Sequence, residues 1–387
     1  MWSVFWLGDK FVKYTRPSFA RLFFLNHSID LLTGETSEIC IYDFIERMDL
    51  SKSDLDSIRS QTKYISHLFY ELGEILNETS LPDSTLPLAI EIEYTEKSPW
   101  RPLLDIPSLK TVPVSAVSKR AYTEAFESGY EHLTRGDCYQ FNLTFPFSYR
   151  WEEDFSAEEI CSRLWEKEEN RSPYAHATYV PKLDKLFLSN SPECLFQGDL
   201  EKGKSRVWSM PIKGTFPRGE DWRKSWELLK ASRKDQGELN MITDLLRNDL
   251  TRIDLQVSKV VRKCAPLLVP KIIHQYSVIK SDLREGTSLL SILKAMFPGG
   301  SITGAPKKNV MKILKKIEST PRGFYCGSTI LLDEEVFAAS INIRSAEVEL
   351  KSRMMHYHAG GGITLLSKVD EEFLEMCLKK DSFVRNL

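Results

Sequence analysis

Apolar residues at every second place mark several half-buried strands along this chain. Leu88, Ile90, Ile92 and Tyr94 alternate with Glu91 and Glu93, and Val4-Phe5-Trp6-Leu7 is a shorter apolar run of the same kind. In Cys138-Tyr139-Gln140-Phe141-Asn142-Leu143 the alternation leaves Gln140 and Asn142 sharing the second face of a strand. Further strands are predicted at 184–189, 205–210, 272–279, 324–332, 336–344 and 354–358. Spacing of three and four predicts helices instead around Leu68 to Leu76 and from Tyr122 through Phe126 and Tyr130 to Leu133, the latter stopped by Gly136. Other helices are predicted at 156–167, 222–232, 237–249, 287–296, 306–318 and 370–382. Strands come in runs rather than alternating one by one with helices. This predicts an α+β fold with antiparallel sheets.

Between Ser98 and Val117 stand Pro99, Pro102, Pro107 and Pro113, the best candidate for a linker. We therefore expect an N-terminal lobe over 1–110 and a second domain over 111–387. A length of 387 residues suits one large core plus an appended lobe. Hydrophobic content of 42% and charged content of 27% are those of a soluble globular protein. With a net charge of -2, no global field draws the chain to nucleic acid or to an anionic membrane. There is no 18-residue apolar run, and the start MWSVFWLGDK has neither the charge nor the length of a leader or anchor. The seven scattered cysteines have no CxxC or zinc spacing, as expected of reduced thiols in a cytoplasmic protein.

Three features call for a chemical reading. Lys213 sits in Pro211-Ile212-Lys213-Gly214-Thr215, an odd place for a solvated charge. Uncharged, its amine would be a nucleophile, and desolvation or a neighbouring cation brings that about. The plain alternative is a surface lysine in a turn. Asp235 and Glu238 stand three apart, as do Glu372 and Glu375, so each pair sets like charges side by side on a helix. Each has a plain alternative too: Asp235 capping its helix with Glu238, and Glu375 pairing with Lys379. Converging on one ion, the four acids would suit Mg2+ and a small anionic substrate. Finally, Phe297 to Lys307 (FPGGSITGAPK) lacks the Lys-Ser/Thr order of a phosphate loop. It predicts a flexible turn feeding a helix that has Pro306 at its first position. Gly360-Gly361-Gly362 is a second such turn candidate, before the last helix.

Taken together, GDCYQFNL (136–143), SPE (191–193), PIKGT (211–215), KDQGELNMITDLLRNDL (234–250), FPGGSITGAPK (297–307), YCGS (325–328), INIR (341–344) and AGGGI (359–363) resemble the chorismate-utilising enzymes. Within that family the pattern is most similar to aminodeoxychorismate synthase component I. The likeness runs in family order from about residue 120 to the end. The first hundred residues match only through Tyr70-Glu71.

The resemblance implies two antiparallel sheets packed face to face with helices outside, chorismate bound between them, and Mg2+. It implies Glu238 and Glu375 as metal ligands with Asp235 and Glu372 beside them, and Glu193 as the acid protonating the departing C4 hydroxyl. Arg344 and Tyr325 would clamp the enolpyruvyl carboxylate. Gly214, Thr215 and Gly360, Gly361 and Gly362 would touch substrate, with Lys379 and His274 near the ring carboxylate and its metal. Gln140 stands where water-activating relatives carry lysine, and a neutral amide cannot do that work. Lys213 stands where anthranilate synthases usually carry alanine. In enzymes making 4-amino-4-deoxychorismate, lysine there is thought to attack C2 and expel the C4 hydroxyl, after which ammonia adds at C4. Departures from the family pattern include Gly237, Leu239, Thr243, Ile330, Ser345 and Leu366.

The expected activity is thus amination of chorismate for p-aminobenzoate and folate synthesis. No constellation for glutamine hydrolysis is recognisable, so ammonia is expected from a separate glutamine amidotransferase subunit. The alternatives are anthranilate synthase component I and a non-catalytic chorismate-binding subunit.

Overall fold

The computed structural model describes residues 1–50, 62–199, 205–218, 221–269, 272–284 and 286–387. Every strand pair within it is antiparallel. One continuous order runs from Val112–Ser115 through Gln140–Arg150, Met354–Ile363, Ser345–Glu349, Lys185–Ser191, Tyr174–Val180 and Trp2–Trp6 to Phe11–Phe23. It continues through Ala89–Trp100, Lys63–Leu68, Ser328–Leu332, Phe337–Ile341, Cys194–Asp199 and Arg206–Ser209 to Ile272–Asp282. That last strand also carries Ile212–Pro217 and Lys259–Val269.

The order doubles back so that its two halves face one another. His67 of the Lys63–Leu68 strand bonds Thr178 across the gap at 2.9 Å, and its ring stacks on Phe187 at 5.9 Å. Tyr14, Ile65, Phe69, Phe187, Phe324 and Leu331 fill the space between. Helices cover the outside, as the α+β expectation requires. Strands from the first hundred residues thus lie in the middle of the order, hydrogen-bonded on both sides to strands from the rest of the chain.

Seven predicted helices appear near their expected limits, among them Lys119–Thr134, Arg233–Thr251 and Val369–Val384. Serine side chains cap several of them, satisfying backbone donors that a first turn leaves open. The expected Leu68–Leu76 helix shrinks to Leu72–Leu76, because Lys63–Leu68 is drawn into the sheet against Ser328–Leu332. The proline segment begins as strand, with Ser98, Pro99 and Trp100 still paired to the Phe11–Phe23 strand. Both glycine-rich stretches also correct the reading. Gly360 to Gly362 are no turn but lie inside the Met354–Ile363 strand, opposite Thr144, Leu143 and Asn142. Residues 299–305 are buried, and Gly304–Ala305 pairs with Phe141 and Gln140, so this stretch is packed rather than flexible. Pro306 takes the N-cap position, one before the helix Lys307–Ile317. Among the described residues no helix is long and apolar enough to cross a membrane.

Candidate active site

Four strands and two helices meet around a cavity of about 540 Å³. The first is the Ile212–Pro217 strand, broken by a bulge between Lys213 and Thr215. Gly214 supplies the bulge with φ +75°, a conformation that side chains resist. A Cβ there would also come within 3.0 Å of Asp235 and Gln275. The bulge re-aims the strand so that both Lys213 and Gly214 line the cavity.

The Arg233–Thr251 helix brings Asp235 and Glu238. Leu239, Ile242, Leu246 and Leu250 are buried at helical spacing, which fixes the helix's rotation and leaves its acids facing the cavity. The cap is Ser232, which accepts from the Asp235 N–H at 3.3 Å; Asp235 is therefore not itself the cap. The Val369–Val384 helix brings Glu372, Glu375 and Lys379 to the same space. Both acid pairs, more than 130 residues apart in sequence, thus line one cavity. Spacing alone could not show that.

Lysines answer these acids. Glu372, only 2% exposed, pairs with Lys234 at 3.1 Å. Glu375 pairs with Lys379 at 2.8 Å, and the same ammonium donates to the Gly360 carbonyl at 3.0 Å. Burial raises the Glu238 carboxyl above its ordinary value; Glu375 and Asp235 add to this, while Lys213 and Lys234 oppose it. Burial also acts on Glu375, but Lys379, with Lys234 and Lys213, outweighs it and leaves that carboxyl below its ordinary value.

Glu193 closes another wall. It is 6% exposed, and one carboxylate oxygen has no hydrogen-bond partner. Burial pushes its pKa up to about 7, against the pull of Lys213 and the Ser301 hydroxyl. A carboxyl in that range can hold a proton at neutral pH and release it to a leaving group. Ser301, also buried in this wall, holds its hydroxyl near that carboxyl.

His274 lines the cavity, with Nδ1 3.3 Å from the Gly214 carbonyl oxygen. Burial and the nearby Arg344 lower its pKa. Arg344 adopts φ +50°, strained for a side-chain-bearing residue, and its guanidinium reaches the cavity exposed. Tyr325 lies beside it in the lining, its ring stacked on His358 at 5.5 Å. Gly360 and Gly362 line the space as well, whereas Gly361 does not. A Cβ on Gly361 would sit 3.4 Å from Glu372; one on Gly362 would sit 2.5 Å from the Gln140 amide and 3.8 Å from the Lys213 ammonium. Gln140 lies just behind this lining, 1% exposed, with neither amide atom hydrogen-bonded. Thr215 pairs with His274 through its backbone, and its side chain lies outside the described residues.

Lys234, Ser301, Asn142, Ile302 and Tyr357 are lining residues that the site expectation missed. Lys234, Ser301, Asn142 and Ile302 all stand inside quoted motifs, Lys234 directly before Asp235. Tyr357 gave no signal beyond strand alternation.

The site has hard-oxygen donors of the kind Mg2+ takes, on two helices facing one space. Among the described residues no three His, Cys, Asp or Glu side chains already stand close enough to cage an ion. The fit therefore rests on donor chemistry, with substrate and water completing any shell.

The family pattern of chorismate binding enzymes matches residues 104–385. The chain belongs to that family. It is 36% identical over 267 residues to aminodeoxychorismate synthase component 1 of Salmonella typhimurium, covering 67% of this chain and 56% of that protein. To the Escherichia coli protein of the same name it is 33% identical, over 70% of this chain and 59% of the relative. Anthranilate synthase component 1 of Aeropyrum pernix is 31% identical, over 71% and 61%. The matched part thus spans little more than half the length of these relatives. In fold the chain is similar to the crystal structure of anthranilate synthase component I from Streptococcus pneumoniae, with TM-score 0.79, 20% identity, and coverage of 98% of this chain and 93% of that one. A putative isochorismate synthase from Bacillus anthracis superposes with TM-score 0.73 at 19% identity, covering 99% and 95%.

Proposed function

We propose that this chorismate-binding family member aminates chorismate at C4, giving 4-amino-4-deoxychorismate, the precursor of p-aminobenzoate. The observation that carries this reading is Lys213 on the cavity wall, near enough to the buried Glu193 for its charge to act on that carboxyl. In the proposed sequence the Lys213 amine bonds to C2 as the C4 hydroxyl departs, taking the Glu193 proton and leaving as water. Ammonia then bonds to C4 and returns a proton to the Glu193 carboxylate, while the C2–N bond to Lys213 breaks and restores the uncharged amine. Holding the amine against the ring supplies much of the rate, since the encounter becomes intramolecular.

Arg344 and Tyr325 are the proposed clamp for the enolpyruvyl carboxylate, where a planar guanidinium can fork onto two oxygens. Glu238 and Glu375 would hold Mg2+, with Asp235 and Glu372 beside them; bound there, the ion would neutralise the ring carboxylate. Lys379 and His274 flank the same position, and the Gly214, Thr215 and Gly360–Gly362 backbone would border the ring. Gln140, an amide that cannot act as a base, leaves water at C2 unactivated. Ammonia is proposed to come from a separate glutamine amidotransferase subunit, and the setting to be the cytoplasm.

Product analysis by mass spectrometry, with chorismate, an ammonium salt and Mg2+, tests the assignment. A mass matching aminodeoxychorismate is expected. A second reading, anthranilate synthase component I, draws support from the 31% identical relative of that name; blue anthranilate fluorescence in the same assay would establish it instead.

A further inference from the structure

Arg322 lines no part of the cavity, yet two of its walls are fastened through it. Its side chain is buried, 2% exposed. One terminal nitrogen donates to the Ile302 carbonyl at 2.7 Å, the other to the Asn142 carbonyl at 2.6 Å. Asn142 and Ile302 both line the cavity, the first from the Gln140–Arg150 strand and the second from the buried glycine-rich stretch beside Ser301. The remaining donors fork onto Glu318, Nε at 2.8 Å and Nη2 at 2.8 Å. Glu318 in turn accepts from the Thr144 backbone and hydroxyl, each at 2.9 Å, tying the fork back to the same strand.

The first hundred residues hold this junction from beneath. The Tyr70 ring covers the guanidinium with its centroid 4.5 Å away. Glu71 accepts from the backbone N–H of Arg322 at 2.8 Å and of Gly323 at 3.2 Å. Asn77 donates to the Phe297 carbonyl at 2.9 Å. A Cβ on Gly73 would overlap Pro298, so this short helix packs directly on the glycine-rich stretch. The turn anchored by Glu71 leads straight into Tyr325, whose N–H donates to the Arg322 carbonyl at 3.2 Å.

We propose that Arg322, held by Glu318 and the Tyr70-Glu71 pair, is a positioning residue that sets the distance between the Asn142 wall, the Ser301–Ile302 wall and Tyr325. This rests on the chorismate-binding reading of the cavity. Only a planar, always-charged fork can serve two carbonyls and a carboxylate at once; a lysine ammonium is a point donor. A displacement of about 1 Å at a reacting centre lowers rate by about 100-fold.

The test is steady-state kinetics on folded R322K and E318Q, with melting temperatures and calorimetric chorismate titration alongside. R322K should lose about 100-fold in kcat/KM, most of it in kcat, and E318Q about 10-fold. Y70F should match the wild type, because the Tyr70 hydroxyl has no hydrogen-bond partner. If R322K does not fold, E318Q carries the same measurement. Lowered melting temperatures with unchanged kcat and KM in the folded variants would make Arg322 structural only and overturn the inference. If the wild type makes a product other than aminodeoxychorismate, the proposed function fails while these variants still report on positioning. Unchanged variants beside the expected product would sink only the inference.

Discussion

At the scale of single residues, Glu193 makes the sharpest demand on solution behaviour. Its carboxyl titrates at about 7 in the folded chain against an ordinary 4.5. As a general acid it works only while protonated, so kcat/KM should fall as pH rises through about 7, and E193Q should lose this limb together with 10²–10⁴-fold of rate, roughly. Stability carries a separate signature. Between pH 4.5 and 7 the folded protein keeps a proton that the unfolded chain has released, so this group's contribution falls as pH rises through that window. The loss by pH 8 is at most roughly 3 kcal/mol. E193Q removes it, so calorimetric melts should show E193Q gaining on the wild type by a few degrees from pH 4.5 to pH 8. An unchanged gap at both pH values would remove the buried, proton-holding carboxyl from the account. Lys213 is tested by K213A: chorismate should still bind, measured by calorimetry, while aminodeoxychorismate formation disappears. Continued product at the wild-type rate would end its covalent role. That these two residues share a cavity was legible from motifs, and the Glu375–Lys379 pair from helical spacing; the Lys234–Glu372 pair was not, because pairing across helices has no sequence period.

At the scale of elements, antiparallel spacing leaves no room at Gly360. A Cβ there would lie 2.1 Å from the Leu143 carbonyl oxygen, backbone that cannot swing aside. Gly360→Ala must part the Met354–Ile363 and Gln140–Arg150 strands and should cost ~3 kcal/mol or more, read by urea denaturation. Gly362→Ala meets only the end of the Gln140 side chain at 2.5 Å. Because Gln140 can rotate away, that variant should fold while its amide no longer sits beside Lys213. The same contrast explains which elements the sequence disclosed. Helices were legible because serine caps and a regular apolar stripe act locally. Five strands escaped notice where bulges break the alternation: at Gly214 in Ile212–Pro217, twice in Lys259–Val269, between Pro17 and Phe19 in Phe11–Phe23, between Cys194 and Phe196 in Cys194–Asp199, and between Pro113 and Ser115 in Val112–Ser115. The glycine triplet misled for a related reason. In a sheet, glycine marks close backbone approach as readily as a turn, and only the partner strand tells which.

At the scale of the whole molecule, sequence placed a linker between Ser98 and Val117 with a domain boundary at 110/111, and the family pattern begins at residue 104. The strand order runs differently. Trp2–Trp6, Phe11–Phe23, Ala89–Trp100 and Lys63–Leu68 lie consecutively in the middle of it, between Tyr174–Val180 and Ser328–Leu332. Removing residues 1–110 would therefore bare the edges of Tyr174–Val180 and Ser328–Leu332 and one face of Phe187, Phe324 and Leu331. It would also take away Glu71 and Tyr70 from beneath Arg322. We expect a 111–387 fragment to aggregate or to melt without a cooperative transition, and to recover a sharp one when the 1–110 segment is supplied in trans. Hydrogen exchange on the full chain gives the complementary reading: amides of Ile90, Ile92 and Ile65 should be protected as strongly as those of Leu186 and Leu188. A fragment that melts cooperatively alone and binds chorismate would mean that the two parts are separable domains despite their shared sheet.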